Sequence, residues 1–170
     1  MRPLFVPRVL GTGEFAQRGG EVPTHALFVA KGCLRSYVID AKGDDHIVQF
    51  APEDWWLADN PSLVAKTPTP YFYEAIEESE ILLIDPESHQ AIVNTVPGYA
   101  AAFRVGLQRH AAAKDTRIVN ALTMSAEERY VAFRETYPSI AERVPQWMLA
   151  SYLGVSPETL SRVRKGFLRK

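Results

Sequence analysis

Two hydrophobic rhythms divide the chain. From about Val9 to Asp85, short runs rich in β-branched and aromatic residues alternate with turn residues, at 26–30, 34–39, 46–50, 71–76 and 80–84. Runs of that length, with no long helical pattern between them, predict the strands of an antiparallel barrel or sandwich. The stretch 58–70 breaks the rhythm with Pro61, Pro68 and Pro70 and is expected to be a loop or insertion, where ligand contacts often lie. After Asp85 the period changes. Pro97-Gly98 opens a proline-free, alanine-rich run to about Leu122, with Tyr99, Phe103 and Leu107 at i, i+4 spacing. This predicts one amphipathic helix of about 24 residues and about 36 Å. A small barrel needs less cover than that. The helix is therefore expected to be a connector and dimer seam, with Ala111, Ala112 and Ala113 permitting close approach; the alternative is a helix packed only on its own barrel.

Ser125-Ala126-Glu127-Glu128 is a capping box opening a further helix that ends near Tyr137-Pro138. The last thirty residues are the most informative. Two short helical patterns flank a turn at Gly154, and the second opens with Ser156, able to cap free backbone N–H groups, and Pro157, which lacks a donor where none is needed. Leu149, Leu153, Val155, Leu160 and Val163 are spaced to pack the two helices together, leaving Glu158, Thr159, Ser161, Arg162 and Lys165 outward. This is the pattern of a helix-turn-helix that places side chains in a DNA major groove. An ordinary helical hairpin has the same outline.

Charge sharpens the contrast between the halves. Residues 1–96 hold 7 Lys/Arg against 14 Asp/Glu, whereas residues 97–170 hold 12 against 6. A basic second half suits a polyanionic partner, although solvated helix faces carry such charge too. Cys33 is the only cysteine, which excludes an internal disulfide and any all-cysteine zinc or iron–sulfur centre. It is read as a small core residue, with a redox-sensing thiol as the alternative. His25, His46, His89 and His110 lack metal-ligand spacing. The prolines near the start leave no signal-peptide run, and no 18-residue apolar stretch occurs, so a cytoplasmic chain with no membrane partner is expected.

The order of these parts resembles the Crp/Fnr family of bacterial transcription regulators. Lys31-Gly32-Cys33-Leu34-Arg35 and Phe50-Ala51-Pro52-Glu53-Asp54-Trp55-Trp56 carry the resemblance in the strand-rich half, with Ser125-Ala126-Glu127-Glu128-Arg129-Tyr130 and residues 140–165 beyond it. It implies an α+β fold: a jelly-roll-like antiparallel β-roll sensory domain over 1–96, a dimerisation helix over 97–123, and a small helix-turn-helix domain over 124–170. It implies double-stranded DNA, a second copy of the chain and RNA polymerase as partners, and no enzymatic activity. Two departures are expected, a start shortened almost to the first strand and no β-wing after Lys165.

The family's reading helix offers an Arg-Glu pair after the capping Ser and a second Arg four residues beyond the Glu. Pro157 replaces the first, while Glu158 and Arg162 match the others. Glu accepts from a cytosine amino group and Arg donates a bidentate pair to guanine; the alternative for these two is a surface ion pair. Ser156, Thr159, Ser161, Arg164 and Lys165 complete the expected DNA contacts, mostly to phosphate. For the sensory site, the family's cyclic-nucleotide binders use a Gly-Glu pair and, about ten residues on, an Arg followed by a small hydroxyl residue. Here Ala58 and Asp59, then Thr69 and Pro70, stand in those places, so no cyclic nucleotide and no other cofactor is expected. Asp59 can imitate the Glu and Lys66 is the nearest cation in sequence. Trp55, Thr69 and Tyr71 join them as candidate effector contacts, with core packing as the alternative for the aromatics.

Two rivals remain at this stage. One is a metal-dependent barrel enzyme, which needs more His and Glu in the strands than His25 and His46 supply. The other is a ligand-binding β-roll protein whose helical tail does not bind DNA.

Overall fold

The structure, a computed structural model, describes residues 4–167. Eight strands form two four-stranded antiparallel sheets. In one, β1 (Val6–Leu10), β8 (Ser79–Ile84), β3 (Ala26–Lys31) and β6 (Trp56–Leu57) lie side by side in that order. The other runs β2 (Phe15–Gln17), β7 (Phe72–Ala75), β4 (Leu34–Ile39) and β5 (Asp45–Ala51). Alternate residues turn inward, so Leu10, Leu27, Val29, Leu34, Tyr73 and Ile81 meet in the interior of the roll. The predicted strand runs all lie within strands of this roll or extend a residue or two past them.

Three expectations are corrected. Strand structure begins at Val6 rather than Val9, because Pro7 lies on β1, an edge strand where a missing N–H breaks no ladder. The stretch 58–70 contains a helix, α1 (Asn60–Ala65): Asp59 caps it, Pro61 occupies its first turn, and Lys66 ends it in the left-handed conformation at φ 54°. A second helix, α2 (Pro86–Thr95), fills the interval before Pro97 and starts on the same Asp-Pro device, Asp85 accepting from the Ser88 amide at 2.8 Å.

The long helix α3 (Tyr99–Thr123) has 25 residues, none of them fully buried. Its apolar positions do not form one stripe. Phe103, Leu107 and His110 face the roll, while Val105, Ile118, Val119 and Leu122 form an exposed row. After it come α4 (Ala126–Thr136), α5 (Pro138–Arg143), α6 (Gln146–Leu153) and α7 (Pro157–Phe167). The capping box is formed: Ser125 Oγ accepts from the Glu128 amide at 3.3 Å, and Glu128 Oε2 from the Ser125 amide at 2.7 Å. Ser125→Ala should lower stability by about 1 kcal/mol, seen as a small fall in the urea midpoint with unchanged slope. Among the described residues, no helix is long and apolar enough to cross a membrane.

The second core ignores the boundary between strands and helices. Tyr37, Ile47 and Phe50 of the roll pack in one cluster with Phe133, Leu149 and Leu160 of the helical part. Cys33 belongs to it, fully buried, with its thiol pushed up to about 12 by that burial, as its reading as a core residue requires.

Candidate functional site

The turn between α6 and α7 is built as its residues dictate. Gly154 adopts φ 67°, a conformation that costs a side-chain-bearing residue about 1 kcal/mol, and closes α6 by donating to carbonyls in its last turn. Ser156 Oγ accepts from the Thr159 amide at 3.1 Å and starts α7. Leu160 is buried against α6 and α4, and Val163 packs partly beside it. On the opposite edge Ser156, Glu158, Ser161, Arg162 and Lys165 are exposed, with Thr159 and Arg164 at the margins. Six of the seven candidate DNA contacts thus share the first turn or the outer edge of α7, whereas Arg164 lies toward the side of buried Leu160. Arg162 donates to Thr159 Oγ1 at 3.2 Å, so the surface pairing with Glu158 gives way to a contact one turn back. Hydrogen bonds from its own backbone N–H and from Ser156 hold the Glu158 carboxyl below its usual range. Residues 168–170, on which the expected absence of a wing partly rests, lie outside the described residues, as do 1–3 for the expected short start.

The helix pair is anchored from behind. β5 is an edge strand, and its open backbone groups are satisfied by helical side chains. The Ile47 amide donates to Ser151 Oγ at 3.0 Å. Arg117 of α3 donates to the Val48 carbonyl at 2.5 Å, the Ile47 carbonyl at 2.8 Å and the Tyr152 carbonyl at 2.7 Å. One guanidinium therefore ties the long helix to the roll and to α6 together. A second tie lies at α5: Arg143 donates to both oxygens of Glu53, at 3.0 and 2.9 Å, and to Glu77. Glu53 in turn accepts from the Gly32 amide at 3.0 Å. These residues were invisible to sequence reasoning, since partners such as Arg117 and Ile47 are 70 positions apart.

Between the roll and α3 lies a cavity of about 380 Å³. Of the candidate effector contacts, Asp59 and Tyr71 line it, together with Gln49, Tyr73, His110 and Lys114. Lys66 and Thr69 do not. Lys66 ends α1, and Thr69 is buried with its hydroxyl donated to Asp59 Oδ2 at 2.7 Å. Burial alone would raise the Asp59 pKa, but the hydrogen bonds from Ser62 and Thr69 outweigh it and hold the carboxyl below its usual range. Trp55 lies outside the cavity, stacked on His110 with ring centroids 4.3 Å apart. The cation among the lining residues is Lys114, from the long helix, a position only the folded chain reveals. Gln49 Nε2 is buried without a hydrogen-bond partner at this wall.

A family model described as the cyclic nucleotide-binding domain matches residues 7–96. The chain belongs to that family. Similar solved structures extend the likeness over the whole chain. The global regulator CLP of Xanthomonas campestris, described as c-di-GMP responsive, is 15% identical with a TM-score of 0.78, covering 98% of this chain and 87% of that one. FixK2 of Bradyrhizobium japonicum is 16% identical with a TM-score of 0.78, over 98% and 86%. TTHA1359 of Thermus thermophilus, described as a transcriptional regulator of the CRP/FNR family, is 17% identical with a TM-score of 0.71, over 96% and 86%. The fold is that of the Crp/Fnr regulators. No curated protein sequence matches the chain.

Beside α1, where the resemblance to cyclic-nucleotide binders calls for a cation to meet the phosphate, stand Thr69 and Pro70, with the Thr69 hydroxyl already committed to Asp59. Among the described residues no cluster of His, Cys, Asp and Glu could hold a metal ion.

His110 joins the cavity to the helical part. Burial, then the charges of Lys114 and Arg109, pushes its pKa down from 6.5 to about 4. Between those values the unfolded chain takes up a proton that the folded chain refuses, so stability falls as the pH is lowered through that window. Urea midpoints measured from pH 7 to pH 4 should drop for the native chain and drop less for His110→Gln.

Proposed function

We propose that this chain is a dimeric, DNA-binding transcription regulator of the Crp/Fnr type, with no enzymatic activity, organised as a sensory roll over 1–96, a dimerisation helix over 97–123 and a DNA-binding part over 124–170. The observation that carries the reading is the split of roles within the helix pair. The packing face of α6 and the Ser151 and Arg117 ties hold the pair to the roll, while the polar edge of α7 is left in solvent. An edge bearing Glu158, Thr159, Ser161, Arg162 and Lys165 suits a major groove: Arg162 and Glu158 read base edges, and the hydroxyls, Arg164 and Lys165 hold phosphates. One such helix has too little charge for tight binding. Two copies paired along the exposed row Val105, Ile118, Val119 and Leu122 supply it, which favours a near-palindromic operator.

The effector belongs in the cavity between roll and α3. It is a ligand smaller than, or chemically unlike, a cyclic nucleotide, offering an acceptor to the Gln49 amide and a negative group to Lys114. His110 and Lys114 stand two turns and one turn before Arg117 on α3, so a ligand against them bears on the helix that holds the DNA-reading pair. Selection of bound fragments from random duplexes tests the reading. Enriched half-sites of dyad symmetry, whose retention falls with salt, are expected. Absence of retention at low salt would remove DNA from the function.

A further inference from the structure

A second cavity, of about 260 Å³, lies between α3 and α4, neighbouring the roll cavity along α3 but lined by different residues, and away from the polar edge of α7. Its walls are largely apolar, with Ala121, Ala132, Phe133 and Tyr137 among them, and its floor is the end of α6 at Leu153 and Gly154. Arg117 and Arg129 both line it. Neither has a carboxylate partner among the described residues. Arg117 makes four hydrogen bonds to backbone carbonyls. In Arg129, Nη1 donates to the Leu153 carbonyl at 2.6 Å, while Nε is buried with no partner at all. A guanidinium presents five donors, and a buried donor left unmade is costly, so this one lacks a complementary acceptor. We propose that this groove binds a small amphipathic carboxylate, whose apolar body lies along the alanines and aromatic rings and whose charged end pairs with Arg129.

The occupant is not a second copy of the chain. At 3.6 residues per turn, the groove-lining residues Ala113, Thr116, Arg117, Asn120 and Ala121 point about 160° away from the mean direction of Val105, Ile118, Val119 and Leu122. Pairing along that exposed row leaves the groove open. Arg129 also fixes the requirement for charge: a neutral molecule of equal shape gains the apolar contact but leaves this partly buried guanidinium without a counter-ion. The bound carboxylate would brace the angle between α3 and α4 at Met124 and Ser125, the joint that orients the helix pair.

Sodium octanoate and its uncharged analogue octanamide separate the possibilities. Isothermal titration of the full chain should show octanoate binding at least tenfold more tightly than octanamide. Arg129→Gln should bring the two to the same weak affinity. Ala121→Phe and Ala132→Phe, each filling the groove from a different helix, should abolish binding of both while the free proteins keep a cooperative unfolding transition. Equal binding of acid and amide to the native chain overturns the proposal. So does undiminished octanoate binding in a cooperatively folded filled variant, which would place the ligand in the roll cavity. The readout involves no DNA, so its failure leaves the gene-regulator reading untouched, and failure of operator selection leaves this one untouched.

Discussion

Arg162→Ala should bind a selected operator no more tightly than a random duplex. Arg162 is exposed on the outer edge of α7, and among the described residues its one hydrogen bond is to the hydroxyl of Thr159. Its removal leaves no buried group unpaired, so thermal stability should be unchanged. A bidentate Arg–guanine contact contributes about 1–3 kcal/mol of discrimination, and a two-fold dimer makes the contact twice. Competition binding on operator and scrambled DNA should therefore lose roughly one and a half to four orders of magnitude in the ratio, with random-duplex affinity falling only slightly. Equal loss on both duplexes would make Arg162 a phosphate contact and move base reading to Glu158 and its neighbours. Lys165→Ala is the natural comparison, since a phosphate contact weakens both duplexes alike and flattens the salt dependence.

Arg117→Met should loosen the hold of the roll on the helix pair. Methionine keeps the apolar stem but removes the guanidinium, and with it both the stacking over the Tyr152 ring and the donors serving the Ile47, Val48 and Tyr152 carbonyls. Hydrogen bonds from a charged group to partly buried carbonyls suggest a loss of roughly 3 kcal/mol. The guanidinium is itself partly desolvated, with its pKa lowered by burial, so part of that loss is returned when the charge is removed. The urea midpoint should fall, and amide exchange at Ile47 and around Tyr152 should accelerate more than exchange inside the roll. Uniform acceleration throughout the molecule would make Arg117 a general stabiliser rather than a tie between parts. An unchanged midpoint would mean that water serves these carbonyls equally well.

The helix-turn-helix was legible because its signals are local. Ser156, Pro157 and Gly154 each do within a few residues what their chemistry requires, and Leu160 is spaced to be buried. The same local device was misjudged at Asp59, where Pro61 in the first turn of a helix looked like an interruption, and at Asp85 it passed without an expectation. Prolines in α1 and α2 start helices rather than break them, and only the capping carboxylate before each distinguishes the cases. The roll was legible from its alternation, apart from β1, which begins among prolines, and β2 and β6, which are too short to show a period. The effector cavity was legible in part. Asp59 and Tyr71 come from the roll itself, but Lys114 and His110 arrive on a helix whose placement no sequence spacing encodes. Arg117 and Arg143, which tie the helices to the roll, were illegible for the same reason: in the linear chain they are unremarked charges on helix faces.

The capped edge of β5 links regulation to the hazard of self-association. If DNA engagement swings the helix pair outward, Ser151 leaves with it, and the Ile47 amide and the Asp45 carbonyl lose their partner beside apolar Ile47 and Phe50, while Arg117 of α3 stays by the Ile47 and Val48 carbonyls. A strand from another molecule can then add itself there. Prolonged occupancy of that opened form should thus promote intermolecular sheet growth, so operator DNA, which draws the chain into it, should hasten precipitation.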